Sequence, residues 1–412
     1  KNYKYIKSKN KFVVSQKNFT VKNTFLKKII IFFINILKKK NSGVIFSTYL
    51  RFLNELKLSL FTSSAIFNGK THFKYSNVID FEKRRNLFVK NENDQKTLEN
   101  FLYKILPLSL PKFVVEDFDK IHKLSESASL PKDPKFILTG IGFVDQVFNF
   151  YLSKNIDRGT PIIVLQHGNA YFTHISNNYL AEQKNPDFIL SWGPKENSKH
   201  IPIFNIKTLD KSKLYDPEGD LLVISDNYYS RPLPENYRFI KEKNMIDTID
   251  IVSLLRDEIQ KKTFFKFMKQ IMNYRNVYKY YLSIIKKKFN LHGTSSNYYE
   301  LLKKTRLVLF NYDSSGFYEN LTLNIPSVLF CKEAEHMINH KYDECYKVLL
   351  EANLLFNDKK KLVNHINKNW KDINKWWYSK KVQQSIKYFN SQLNIPPKNI
   401  KSISDKLNLI FN

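Results

Sequence analysis

Apolar residues in this chain cluster in short dense runs between polar stretches, and several runs suit only a buried strand. Leu307 to Phe310 is such a run, and Asp313-Ser314-Ser315-Gly316 follows it as a turn with helix-capping chemistry. Phe317, Leu321 and Leu323 then repeat at helical spacing up to Asn324-Ile325-Pro326, where proline stops the helix and Ser327 to Phe330 forms a second buried strand. This is a βαβ unit. A second one lies upstream: Lys135 to Thr139 ends in Gly140-Ile141-Gly142, Asp145 to Leu152 is an amphipathic helix, and Pro161 to Leu165 is the next buried strand. Asp187 to Trp192 adds a third strand, and Leu221 to Ser225 opens the second half of the chain.

The rest reads as helix and loop. From Gly43 to Leu110 the spacing is helical, with Tyr49, Phe52, Leu53 and Leu56, then Leu98, Phe101, Leu102 and Ile105, placed for a core; Pro107 and Pro111 end that stretch. Ser125 to Pro134 is a loop, and Ile246 to Met272 is expected as helix before the basic aromatic stretch Tyr274 to Lys288. Lys341 to Ala352 and Lys359 to Phe389 complete the helical segments, with Trp370, Trp376 and Trp377 read as core or interdomain packing. The expected class is therefore α/β with two Rossmann-like domains facing a cleft and extra helices at both ends. The expected boundaries are 1–210 for an acceptor-side domain with a basic helical extension, 211–370 for a donor-binding domain, and 371–412 for a helical segment packing across both.

Composition agrees with two domains. The chain has 412 residues, enough for two cores of ordinary size, and its hydrophobic fraction of 42% can fill them. A net charge of +29 calls for an anionic partner: nucleic acid, a membrane face or a phosphorylated substrate. The abundance of Lys and Asn also fits an AT-rich genome, and no zinc-finger spacing, RNA-binding aromatic motif or Arg-rich stripe supports nucleic acid. Cys331 and Cys345 alone make neither a disulfide framework nor a metal knuckle, so a reducing, cytoplasmic compartment is expected. The sequence starts at Lys1 and not Met, so the true N-terminus is expected to lie upstream and the lack of a signal peptide here carries little weight.

Near the N-terminus, Ile29 to Leu37 is apolar apart from Asn35 and is bracketed by Lys27-Lys28 and Lys38-Lys39-Lys40. It is too short to span a bilayer. Such a helix either lies on an anionic membrane surface with Phe32, Phe33 and Ile36 inserted, or packs on the protein with a solvated lysine face.

Two places carry candidate chemistry. Gln166-His167-Gly168-Asn169 follows a strand at its carboxyl end, where open α/β sheets place their sites, and Gly168 lets a ligand approach closely. The Ser314-Ser315-Gly316 turn offers backbone N–H groups, hydroxyls and a helix N-terminus to a phosphate, and Glu319 could accept from a ribose diol. The plainer alternative is that Ser314 caps the helix and Glu319 favours its dipole.

Cleft, strand-tip His and phosphate-type turn together match the construction of GT-B nucleotide-sugar glycosyltransferases. Leu165-Gln166-His167-Gly168-Asn169, Glu182, and Asp187 to Gly193 resemble bacterial transferases encoded among O-antigen and other surface-glycan genes. So do Asp313 to Leu321, Asn324-Ile325-Pro326-Ser327-Val328, and Asp372-Ile373-Asn374-Lys375-Trp376-Trp377 with Val382-Gln383. The matches run in order from about Lys135 to Phe389. The family is more distantly similar to CDP-glycerol polyol-phosphate transferases and to capsule-type transferases. Asn169 stands where the family usually has a second Gly, and Cys331 where it has an aromatic.

The resemblance implies a cytoplasmic enzyme, peripheral on the inner membrane face if the N-terminal helix binds lipid, that moves a sugar from a nucleotide-sugar donor to a glycan or lipid-linked acceptor. His167 and Glu182 would be catalytic. Arg275, Ser314, Ser315, Gly316 and Glu319 would bind the donor, with no cofactor beyond it and no metal. Alternatives are a polyol-phosphate transferase, or a non-catalytic basic protein binding glycan or nucleic acid on the same scaffold.

Overall fold

A computed structural model describes residues 21–37, 42–67, 78–87, 98–127, 130–175, 180–225, 237–267, 276–292, 296–332 and 338–411. The first sheet is built from β1 (Val44–Phe46), β2 (Ala65–Ile66), β3 (Ile137–Thr139), β4 (Ile162–Leu165), β5 (Phe188–Ser191) and β6 (His200–Pro202). All its pairings are parallel and its order is β2-β1-β3-β4-β5-β6. The second sheet uses β7 (Asp220–Ile224), β8 (Thr263–Lys266), β9 (Asn290–Leu291), β10 (Thr305–Phe310), β11 (Ser327–Phe330) and β12 (Leu355–Phe356). Its order, β12-β11-β10-β7-β8-β9, is again wholly parallel and runs outward in both directions from β7 and β10.

Both are doubly wound sheets, so each has a point where the strand order reverses and a crevice opens at the carboxyl ends. That point lies between β1 and β3 in the first sheet and between β7 and β10 in the second. Strands β1, β3, β4, β10 and β11 are buried on both faces, which is why the longer of them read as continuous apolar runs. In the first sheet the period of two sends Ile45, Leu138 and Ile163 to one core and Val44, Ile137 and Ile162 to the other. The result is two Rossmann-like halves facing a cleft, the GT-B arrangement.

The C-terminal helices connect the halves. Lys380–Leu393 packs Phe389 and Leu393 into the second core, then the chain turns at Asn394, and Ile400, Ile403 and Leu407 enter the first core. Ile395 N–H donates to Trp192 O at 2.7 Å and Asn205 N–H to Ile395 O at 2.9 Å. Gly193 is needed at this crossing, because a Cβ there would stand 2.8 Å from the Gln392 carbonyl oxygen.

Several expected elements are corrected. The stretch from Gly43 to Leu110 is not helical throughout: it contains β1 and β2, three and two residues long, too brief to show a period of two. Leu98, Phe101, Leu102 and Ile105 do not face a core but are 39–73% exposed. Pro107 lies inside the helix Leu98–Ser109 and does not end it. The Arg84 guanidinium takes the Pro107, Leu108 and Leu110 carbonyls, which satisfies groups at the helix end. Ile246 to Met272 is also divided, since Tyr237–Ser253 ends before the helix Asp257–Lys261 and strand β8. Lys359 to Phe389 is likewise interrupted at Trp370–Asp372 and again at Tyr378 and Ser379.

Candidate active site

The Gln166-His167-Gly168-Asn169 turn leaves β4 beside the reversal point of the first sheet. Gln166 is locked in place, its Oε1 accepting from Trp192 N–H at 2.7 Å and its Nε2 donating to Gly168 O at 2.9 Å. His167 is 5% exposed. Its Nδ1 lies 3.2 Å from Gly140 O, 2.9 Å from Tyr171 Oη and 3.4 Å from Glu182 Oε2. Tyr171 in turn donates its hydroxyl proton to Glu182 Oε2.

The proton position follows from these partners. A carbonyl, a carboxylate and a hydroxyl that has already given its proton away are all acceptors, so Nδ1 carries the hydrogen and Nε2 the lone pair. Burial, helped by Lys207 and opposed by the Gly140 carbonyl, lowers the imidazole to about 4, so it is neutral near pH 7. Burial likewise pushes Glu182 up, with the Tyr171 hydroxyl opposing. Gly140 can approach only as glycine, since a Cβ would meet the Ser47 carbonyl oxygen at 2.9 Å.

The second half contributes the turn after β10. Ser314 is extended and its Oγ accepts from Phe317 N–H at 3.3 Å, so it caps the helix Ser315–Thr322. Ser315 reaches across to the first half: its Oγ donates to Asn169 Oδ1 at 3.2 Å and accepts from Asn169 N–H at 3.3 Å. Asp313 Oδ2 meets His174 Nε2 at 2.9 Å and accepts from Tyr346 at 2.8 Å. The strand-tip motif and the phosphate-type turn, 146 residues apart, are therefore in direct contact.

Beside this contact lies a cleft of ≈ 510 Å³ whose lining includes Tyr49, Arg51, Lys207, Lys211, Gly316 and Glu319. Glu319 Oε2 accepts from the Tyr299 hydroxyl and lies 3.4 Å from Lys211 Nζ, while its Oε1 lies 4.0 Å from Lys207 Nζ. Burial lowers both lysines and Glu319 opposes it. Lys207 also sits over the rings of Tyr49 and Trp192, at 5.2 and 5.8 Å.

His167 and Glu182 are thus brought together, as are Ser315, Gly316 and Glu319 on the opposing helix. Arg275 lies outside the described residues. Sequence reasoning gives Tyr49 only a core position and passes over Lys207 and Lys211. Two lysines among 67 basic residues carry no signal, and Tyr49 was placed on a helix, whereas it follows β1 with φ +64°.

Three solved structures illustrate what the chain is similar to in fold. They are S. aureus MnaA with UDP (12% identity, TM-score 0.47, covering 91% of this chain and 98% of that one), Neisseria meningitidis UDP-GlcNAc 2-epimerase bound to UDP-GlcNAc (10%, 0.47, 90% and 100%), and Acinetobacter baumannii MurG (7%, 0.41, 90% and 100%). No curated protein matches the chain significantly. The model of the LIC12162 family transferases matches residues 1–406, nearly the whole sequence. The chain belongs to the LIC12162 family transferases.

Proposed function

We propose that this transferase moves a sugar from a nucleotide-activated donor to a hydroxyl of a glycan or lipid-linked acceptor in the assembly of cell-surface polysaccharide such as O-antigen. The observation that carries the reading is His167, neutral and held through Nδ1–H by Gly140, Tyr171 and Glu182, beside a cleft whose opposite wall is a helix N-terminus with Gly316 and Glu319. Nε2 accepts the proton of the acceptor hydroxyl as its oxygen bonds to the anomeric carbon. The bond from that carbon to the donor phosphate breaks, and the nucleotide leaves with the electron pair. Glu182 steadies the imidazolium that forms. The N–H groups of Ser315 and Gly316 face the leaving phosphate, and Glu319 accepts from the ribose through Oε1. Arg275 remains the family-matched candidate for a further phosphate contact.

The N-terminal helix supports a peripheral position on an anionic membrane. Asn35 docks it on β2, donating to Ile66 O and accepting from Ile66 N–H, both at 2.9 Å, and Ile31 is buried. Phe32, Phe33 and Ile36 stay 54–59% exposed, beside exposed Lys27 and Lys28. Among the described residues no helix is long and apolar enough to cross a membrane.

The deciding experiment incubates the protein with a panel of nucleotide sugars and with CDP-glycerol, alongside lipid-linked glycan acceptors, and identifies products by mass spectrometry. Sugar transfer with release of a nucleoside diphosphate, or of CMP from a CMP-sugar, is expected. CMP release from CDP-glycerol, or binding without turnover, would overturn the reading.

A further inference from the structure

Among the described residues, the cleft carries more positive charge than its own lining neutralises. Its lining holds Arg51, Lys207 and Lys211 against one carboxylate, Glu319, and His167 beside it is uncharged near pH 7. The lysine side chains are only 20% and 15% exposed, so water screens them poorly. They flank opposite oxygens of Glu319, Lys207 toward Oε1 and Lys211 toward Oε2. One carboxylate shared by two amines leaves charge for a further anion.

The placement of Lys207 is built in. It follows Asn205, which is fully buried and whose Oδ1 accepts from Lys207 N–H at 3.1 Å. Asn205 Nδ2 donates to Asn394 Oδ1 at 2.8 Å, and Asn394 Nδ2 donates to Tyr318 O at 2.8 Å, on the helix that bears Gly316 and Glu319. Linker, C-terminal crossing and donor-side helix are thereby fixed to one another. The backbone that carries the amine is thus held at the cleft by a buried network. Lys211, four residues further on in the chain, is held by Tyr299 and Glu319.

We infer that Lys207 and Lys211 form a diphosphate clamp, gripping the two phosphates of a nucleoside-diphosphate donor from the segment that joins the halves. Glu319 is their counter-charge before the donor arrives and turns to the ribose once the phosphates take the amines. This rests on the proposed nucleotide-sugar reading, but its chemistry, recognition of a diphosphate, can be tested without any sugar. Because the clamp sits on the linker, donor binding ties the two halves together at the point where they would move.

The test measures binding of inorganic pyrophosphate, nucleoside diphosphates and the matching nucleosides by calorimetry to the full chain and to Lys207→Met, Lys211→Met and the corresponding Arg variants. A charge-assisted contact is lost in each Met variant, so pyrophosphate and nucleoside-diphosphate affinity should fall about 10–100-fold. Nucleoside affinity should not change, the Arg variants should bind within a few-fold of the original, and the salt dependence of the Met variants should be shallower. Folded Met variants that bind pyrophosphate as the original chain does would overturn the clamp, as would an original chain that binds none. If a Met variant fails to fold, the Arg variant and Lys→Gln at the same position carry the comparison. Pyrophosphate binding lost in the Met variants, with no nucleotide sugar turned over by the original chain, would leave the clamp standing and remove the glycosyl-transfer reading.

Discussion

The ring of Tyr49 lies flat on the imidazole of His167, with centroids 5.0 Å apart and planes inclined by 9°. Tyr49 reaches that position from a left-handed backbone at φ +64°, two residues after Ser47 at φ +49°, in the turn that leaves β1. A left-handed conformation costs a residue with a Cβ about 1–2 kcal/mol. The turn is worth that cost if it shields the base from water and joins it to Lys207, which sits over the same tyrosine ring.

Tyr49→Gly separates these effects, because glycine relieves the backbone while removing the ring. With less burial, His167 should titrate well above about 4, moving toward its ordinary 6.5, and turnover should fall although the fold is kept. Histidine NMR titration of the variant checks this; an unchanged His167 midpoint would show that Tyr49 does not shield it.

His167→Ala should lower turnover about 10²–10⁴-fold, with donor affinity retained because the donor contacts lie on the other half and the linker. Glu182→Gln keeps the shape but not the charge that steadies the imidazolium, so it should lower turnover by less, about tenfold to a hundredfold, with KM for the donor unchanged. Steady-state kinetics on folded preparations, with a melting curve for each, decides both. Full activity in His167→Ala would end its catalytic assignment.

Acid should destabilise the protein between pH 6.5 and 4. Burial holds His167 and His365 at about 4, so below 6.5 the unfolded chain binds protons that the folded one refuses, and stability falls with pH until the folded groups titrate. Each contributes about 3 kcal/mol by pH 4 as an upper bound. His365 is away from the cleft, in contact with Trp376 and Phe356, so His365→Phe should remove its own share of the pH slope, leaving those of His167, His200 and His292, without changing turnover. Denaturant melts across that range measure it.

Asn324 ends the helix Ser315–Thr322 at φ +53°, and its Oδ1 accepts from Trp377 Nε1 at 2.8 Å and Gln383 Nε2 at 3.2 Å. Asn324→Gly keeps the conformation and strands the buried indole N–H, for a loss of about 1–3 kcal/mol. Asn324→Ala should lose about 1–2 kcal/mol more through backbone strain alone. Equal stability of the two variants would show that the left-handed geometry is not the constraint.

If Phe32, Phe33 and Ile36 insert into lipid beside Lys27 and Lys28, the chain should co-sediment with anionic vesicles, less so as salt rises. Phe32→Ser with Phe33→Ser should abolish this without a change in melting temperature, both side chains being exposed already. Equal binding to neutral vesicles, or none to either, removes the membrane reading.

The sequence by itself determined the fold class and the motif positions, because strands buried on both faces and a capped turn are written locally. Leu307 to Phe310, Ser327 to Phe330 and Pro161 to Leu165 coincide with strands to within two residues. The same locality explains what was missed. β1 and β2 are strands only because β3 pairs with β1 and β1 with β2, and three apolar residues near a helix carry no period to distinguish them. The outward face of Leu98, Phe101, Leu102 and Ile105 has ordinary core spacing, and only the absence of a packed partner in the described structure marks it as exposed. Family resemblance named the motifs that hold His167, Glu182, Asn324, Trp377 and Gln383, but which of these side chains meet became visible only in the fold. Tyr49, Lys207 and Lys211 were decided by tertiary structure alone. A buried charge takes its meaning from what surrounds it, and their surroundings come from segments more than a hundred residues apart.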